Sequence, residues 1–234
     1  MIEIIRTCFP GGAWNHMVAM GVRNSFDSWK DCDTTSHMAS FGEKDLELLT
    51  KLSGCDSSER KFLRMMPVLM DINAPLYFWK EFDTYKVGTV SNSCSTMHKI
   101  MANPFNEQTF STDQMLSVGG ATMVDIIQTL NDIRGRWLEC TDPQIKKELW
   151  YTIIQLLPSS WNQLRTVMLN YEVLKTMYKQ RRNHKLGEWR GFCDYISKKM
   201  PYPEFITGGK KVTRVIVPTV HTEPPRLVAR KKEE

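Results

Sequence analysis

Arg181-Arg182, His184 and Glu188 lie close together in this 234-residue chain. Arginine presents a planar fork of donors that can clamp a phosphate. An arginine near a helix C-terminus is equally favoured by the helix dipole, so both readings stand. His184 and Glu188 are four apart and would share a helix face. They could serve as ligands or as an acid–base pair, although a solvated surface pair is the simpler reading. A second chemically able stretch is the polar run Thr89-Val90-Ser91-Asn92-Ser93-Cys94-Ser95-Thr96. Its hydroxyls suit a phosphate or a base edge, or else a capped turn. It follows the aromatic, charged segment Tyr77 to Lys86. Cys94 sits in the run with no histidine or lysine placed by sequence to activate it, so we read a structural thiol and no cysteine nucleophile.

Composition narrows the class. Hydrophobic residues make up 41% and charged residues 24%, ordinary for a globular protein with a sizeable core. No apolar run approaches the ~20 residues of a membrane span. The opening MIEIIRTCFPGG lacks the basic-then-apolar layout of a signal peptide. The six cysteines include no Cys-x-x-Cys spacing, which predicts free thiols in a cytoplasmic setting and no metal site. There is no Gly-rich phosphate loop, nucleophile elbow or dinucleotide fingerprint. Residues 208–234 hold seven of the 31 basic residues against three of the 26 acidic ones, so this tail carries +4 of the net +5. A basic tail is a solvated extension or a contact for an acidic protein or nucleic acid.

The elements that would position these groups read as mixed, with long helices dominating. Ser40-Phe41-Gly42-Glu43 has capping-box spacing and predicts a helix over 43–53 through Leu46, Leu49 and Leu52. Met65 to Ile72 reads as a buried strand. Ser111-Thr112-Asp113-Gln114, a second capping-box pattern, precedes a helix carrying Ile126, Ile127, Leu130 and Ile133. Asp142-Pro143 predicts an N-cap with proline at the first helical position, and Pro158 ends that helix. Trp161, Leu164, Met168, Tyr171, Leu174 and Tyr178 recur at steps of three or four and predict one long helix starting near Trp161. A further helix carries Trp189, Phe192 and Ile196 and ends at Pro201. Val212 to Val217 reads as a short strand. These elements divide the chain into a domain over 1–207 and a basic C-terminal extension over 208–234.

Five segments, in this order, resemble the flavin-dependent thymidylate synthases. Arg23-Asn24-Ser25-Phe26-Asp27 is similar to the family's early Arg-x-Ser-Phe segment. APLYFWKEFDTYK (74–86) aligns with the stretch ending in the Arg-His-Arg signature, and VGTVSNSCSTMH (87–98) with the signature loop. LLPSSWNQLRTVMLNYEVL (156–174) and RRNHKLGEWR (181–190) resemble the Leu-Pro segment and the closing Arg…His…Glu pattern. The resemblance implies an α/β (α+β) fold with long helices packed on a small sheet, assembled as a homotetramer with sites built from several subunits. It implies bound FAD, with NADPH and methylenetetrahydrofolate as co-substrates if the chain is active, and a one-carbon transfer to deoxyuridylate. Carried over residue by residue, Ser25, Tyr85, Lys86 and Asn170 would face the flavin. Glu81, Asn92, Ser95, Arg181 and Arg182 would face a pyrimidine nucleotide. No residue is assigned a catalytic role, because in this family the cofactor carries the chemistry.

The likeness has departures that matter electrostatically. Thr84, Tyr85 and Lys86 stand at the Arg-His-Arg positions, Glu81 at a family glutamine, and Met97 or Thr96 at the loop arginine. Ile154 and Glu172 replace two more arginines. Charge-assisted contacts contribute about 1.5–3 kcal/mol each, so Lys80 and Arg165 are candidate replacements. Two readings follow. One is an active transferase on a pyrimidine nucleotide. The other is a degenerate synthase that binds or sequesters a nucleotide or a host protein. A nucleic-acid binder using the tail is a third, weakened by the absence of aromatics interleaved in the tail. The sequence is also similar to phage-encoded relatives of the family, which implies a viral protein acting in a bacterial cytoplasm.

Overall fold

The computed structural model describes residues 2–208, apart from the side chains of 96 and 97. The expected strand over Val212–Val217 and the basic extension from residue 209 onward lie outside the described residues. Four strands form one antiparallel sheet in the order β1-β2-β4-β3. They are β1 (Glu3–Cys8), β2 (Pro67–Pro75), β3 (Val90–Ser93) and β4 (Asn162–Asn170). The helices are α1 (Ala13–Phe26), α2 (Glu43–Ser53), α3 (Leu76–Phe82), α4 (Thr96–Lys99), α5 (Ser117–Glu139), α6 (Pro143–Leu156), α7 (Tyr171–Arg181), α8 (Gly187–Lys199) and α9 (Pro203–Thr207). This is the mixed architecture expected, with helices packed on a small sheet.

One face of the sheet is buried. Val68, Met70, Ile72, Val167 and Leu169 pack there against α1, α2 and the aromatic-rich α3, α7 and α8. The opposite face is open. Cys8, Leu69, Met168 and Val90 are register partners in one row across all four strands, and each is exposed. Beside that row, Asp71 accepts from Arg6 Nε and from Thr166 Oγ1, the latter at 2.6 Å. A second core lies between the antiparallel α5 and α6, where Met123, Leu130 and Ile153 pack with Ile100, Met101, Phe105 and Phe110. Ile154 packs against that cluster.

The segment beginning at Trp161 is not one long helix. It is β4 followed by α7. The same residues also alternate: Gln163, Val167 and Leu169 point into the core while Met168 stays exposed. Steps of three and four at 161, 164, 168 and 171 cannot distinguish this from a helix, and pairing to β2 and β3 decides it. Asn170 ends the strand and caps α7, accepting from Val173 N at 3.0 Å.

Neither capping box forms. At α2 the N-cap is Gly42, and the carboxylate of Asp33, nine residues upstream, accepts from Lys44 N and Asp45 N at 2.8 and 3.0 Å. The helix after Ser111 starts only at Ser117, without a side-chain cap. Asp142 does cap α6, accepting from Gln144 N and Ile145 N at 2.7 and 3.2 Å with Pro143 next in line. Asp142→Ala is expected to cost about 1 kcal/mol, read as a lowered midpoint in urea unfolding. An unchanged midpoint would place the cap outside the cooperative unit.

Candidate functional site: an arginine clamped between two aromatic rings

Helix α3 turns Phe78, Trp79 and Phe82 into the core, where Phe78 and Phe82 meet Trp189 and Phe192 of α8. Trp79 Nε1 donates to Gln163 O at 2.9 Å, tying α3 to β4. That packing leaves Glu81 and Tyr85, just beyond the helix, facing the C-terminal end of α7. Arg181 closes the group. Its Nη1 donates to Glu81 Oε2 at 2.8 Å and its Nε to Tyr85 OH at 2.9 Å. Its guanidinium lies over the Trp189 ring at 4.9 Å and the Tyr85 ring at 5.7 Å. Trp189 Nε1 donates to the same Glu81 oxygen at 2.9 Å, and Tyr85 OH donates to Gln180 Oε1 at 2.7 Å. Stacking and a bidentate set of bonds hold the guanidinium in one orientation. Its Nη2 has no hydrogen-bond partner among the described residues.

His184 and Glu188 do not form a pair, which corrects the expectation of a shared helix face. His184 precedes α8. Its Nδ1 accepts from Leu186 N at 3.2 Å, and its Nε2 lies 3.0 Å from Arg181 Nη1 and 3.5 Å from Glu81 Oε2. Glu188 is buried on α8 and accepts from Tyr77 OH. A signal for this exists in the sequence: 188, 192 and 196 form one stripe, so Glu188 stands in an apolar row beside Phe192 and Ile196. Gln180, which completes the clamp with Trp189, carried no such signal.

The remaining expected site residues are distributed. Lys86 and Arg182 are exposed neighbours of Tyr85 and Arg181, with no side-chain partner among the described residues. Gly88 has φ of 76°, and a Cβ there would lie 2.8 Å from Asn170 Nδ2, so the 86–88 turn closes on the cap of α7. Asn170 and Arg181 sit at opposite ends of an 11-residue helix, about 16 Å apart. Asn92 is exposed on the edge strand β3, opposite Thr166. Ser95 Oγ accepts from His98 N at 3.3 Å and supports α4. Ser25 is exposed at the end of α1. The structure therefore unites Glu81, Tyr85 and Arg181, with Lys86 and Arg182 beside them, and leaves Ser25, Asn92 and Ser95 separate within one chain.

The candidate replacement cations differ. Arg165 is occupied, bonded to Asp83 Oδ1 at 2.7 Å and Gln163 Oε1 at 2.8 Å and stacked over Trp79 at 4.4 Å. Lys80 is exposed and unpaired among the described residues. Glu172 is held by a bidentate contact from Arg60. Among the described residues no group of three or more His, Cys, Asp or Glu is placed to hold a metal, and no helix is long and apolar enough to cross a membrane.

No family model matches the sequence, and no curated protein matches it. Solved structures do match. The chain is similar to the flavin-dependent thymidylate synthase ThyX of Helicobacter pylori complexed with FAD and dUMP, at a TM-score of 0.63 and 13% identity over 88% of this chain and 98% of that one. A second structure of the same enzyme with FAD and dUMP gives 0.62 and 14% over 88% and 97%. The chain thus has a ThyX-like fold along nearly the whole length of those proteins.

The donors of one chain are an incomplete fit for FAD. Of Ser25, Tyr85, Lys86 and Asn170, the Tyr85 hydroxyl and the Asn170 carboxamide oxygen are already bonded. A diphosphate would meet the Lys86 ammonium, the Ser25 hydroxyl and the Asn170 amide nitrogen but no arginine of this set, and we derive no step through a flavin.

Proposed function

We propose that this chain uses its ThyX-like fold to bind a pyrimidine nucleotide, with the phosphate drawn to Arg181 Nη2, Arg182 and Lys86. The carrying observation is the pre-oriented guanidinium of Arg181, its other two nitrogens fixed by Glu81 and Tyr85. A donor held in place before the ligand arrives loses little freedom on binding. The dUMP bound by the structural neighbours supports the choice of ligand. Isothermal titration of dUMP into the full chain tests it, and absence of heat at millimolar nucleotide would sink it.

A second reading, a synthase fold that binds without turnover, is favoured by one feature. The Glu81 carboxylate already neutralises Arg181, and Asp83 neutralises Arg165. Glu81→Gln keeps an acceptor for Trp189 while removing the charge. It is expected to tighten dUMP binding roughly two- to fivefold, the scale of a partly exposed ion pair. Weaker binding in that variant would show that the carboxylate helps the ligand. One-carbon transfer, with FAD, NADPH and methylenetetrahydrofolate, belongs to the first reading only if the purified protein takes up FAD and shows its visible absorbance.

The same reading includes a homo-oligomer of four copies. The open apolar row Leu69, Met168 and Val90, and the exposed Val118, Val124, Leu138 and Ile145 on α5 and α6, support it. Four copies would also bring Ser25, Asn92 and Ser95 of one chain toward another's Arg181. Light scattering at micromolar protein is expected to give four times the chain mass, and a monomer mass would contradict it. A cytoplasmic location and a viral origin accompany the proposal.

A further inference from the structure

Two cavities adjoin at the start of α5, and none of the nine site residues named above lines either of them. The larger, of about 760 Å³, is walled by Tyr77 and Ser160 on one side and by Leu116, Val118, Met123 and Ile126 on the other. The smaller, of about 290 Å³, reaches Glu188 and Tyr195. Asp113 and Gln114 border both. The Tyr77–Glu188 hydrogen bond spans the two, since Tyr77 lines the first and Glu188 the second. Burial and the neighbouring Glu188 carboxylate push the Tyr77 phenol well above its usual range, so it stays a neutral donor.

The charge of the walls selects a ligand class. Among the described residues no lysine, arginine or histidine lines either cavity. Two carboxylates do, and each has a partner: Glu188 has Tyr77, and Asp113 has Gln114 Nε2 at 3.3 Å. An anion entering there would meet two carboxylates and no basic side chain among the described residues. A cation would find both acids already engaged. One polar group is left over. Ser160 is 6% exposed and its Oγ has no hydrogen-bond partner among the described residues, an uncommon state for a buried hydroxyl. At the mouth, Leu116 and Val118 are 79% and 74% exposed. The larger cavity falls within the ~300–1,000 Å³ of small-molecule sites.

We propose that the larger cavity binds a neutral organic molecule with a ring-sized apolar body and one hydrogen-bonding group. The body lies against Leu116, Val118, Met123 and Ile126, and the polar group meets Ser160 Oγ after a rotation about its χ1. This site is independent of the nucleotide reading, because its ligand carries no phosphate and Arg181 takes no part.

Saturation-transfer NMR on the full chain tests it with two probes of similar size, neutral indole and anionic p-toluate. Wild type is expected to bind indole saturably and p-toluate about tenfold more weakly, as like charge requires. Ser160→Ala is expected to weaken indole by about three- to tenfold, the loss of one neutral hydrogen bond. Thr122→Trp, at an exposed position on the cavity wall, fills the space and abolishes the signal while the melting temperature and dUMP titration stay as in wild type. Equal binding of p-toluate and indole overturns the proposal, as does wild-type indole binding by Thr122→Trp. If Thr122→Trp keeps indole but changes the assembly mass, the cavity mouth is an interface between copies and the proposal falls.

Discussion

Arg181→Ala is expected to weaken dUMP binding by about 30- to several-thousand-fold, the range for removing one partner of a desolvated charged contact. The size follows from how Arg181 is held. Its side chain is 20% exposed, stacked on two rings, and bonded through Nε and Nη1. Other positions where the resembling family has arginines hold Ile154 and Glu172, which leaves Arg181 with only the exposed Arg182 and Lys86 beside it among the described residues. Arg182→Ala, at an exposed side chain, is expected to lose only a fewfold. Arg181→Lys separates charge from geometry, since an ammonium lacks the fork that reaches Tyr85 and Glu81 together. Wild-type affinity in Arg181→Ala, with an unchanged melting temperature, would remove this cluster from the site.

The largest stability effect is expected far from that site, at Asp45. Arg23 and Asp45 are 2% and 1% exposed and paired through Arg23 Nε. Arg23 Nη1 also reaches Asp27 at 2.6 Å. Asp45 Oδ2 accepts from Thr34 N and Thr34 Oγ1 at 2.8 and 2.6 Å and from the Cys32 thiol. Asp45→Ala leaves Arg23 buried beside a void and should cost about 3–5 kcal/mol, as for other broken buried pairs. The pair also makes stability depend on pH. Burial opposes ionisation of Asp45, but the bonds from Thr34, Arg23 and Cys32 outweigh it and hold the carboxyl at about 2, below its ordinary 3.8. A depressed folded-state value means the contribution is complete above the unfolded value and disappears as pH falls toward the folded one. Wild type should therefore lose stability between about pH 4 and 2, and Asp45→Asn should flatten that slope. A variant as acid-sensitive as wild type would assign the loss to other carboxylates. Burial and then the Asp45 carboxylate raise the Cys32 thiol above its usual range. Cys32 is thereby kept a protonated donor.

The clamp around Arg181 also shows how Glu81 and Tyr85 are accommodated in an intact fold. Glu81 accepts from Arg181 and Trp189 at once, and Tyr85 bridges Arg181 to Gln180. Residues that depart from the resembling family's pattern have formed a self-consistent network in this chain. The same is seen at Glu172, which meets Arg60. The acids Glu81 and Glu172 thus each have a cationic partner within the protein, which lowers the cost of losing a ligand phosphate.

Helix existence was legible wherever an apolar stripe was long and its ends were punctuated. Helices α2, α6 and α8 follow from Leu46-Leu49-Leu52, from Asp142-Pro143 and from Trp189-Phe192-Ile196, because a 3.6-residue period and a local cap need no tertiary information. The order of polar segments along the chain was enough to expect this fold and to single out Arg181, Glu81 and Tyr85. What the chain order could not decide was which partner a residue meets. Residues 161–170 fit a helix and a strand equally, and only the ladders to β2 and β3 chose the strand. The cap of α2 came from Asp33 rather than Ser40, because the preceding loop folds back over the helix end. His184 and Glu188 parted because the chain turns between them before α8 begins, sending one to Glu81 and the other to Tyr77. Periodicity and caps act within a few residues and are written locally. Pairings across tens of residues depend on which buried surfaces close together, and only the folded chain specifies that.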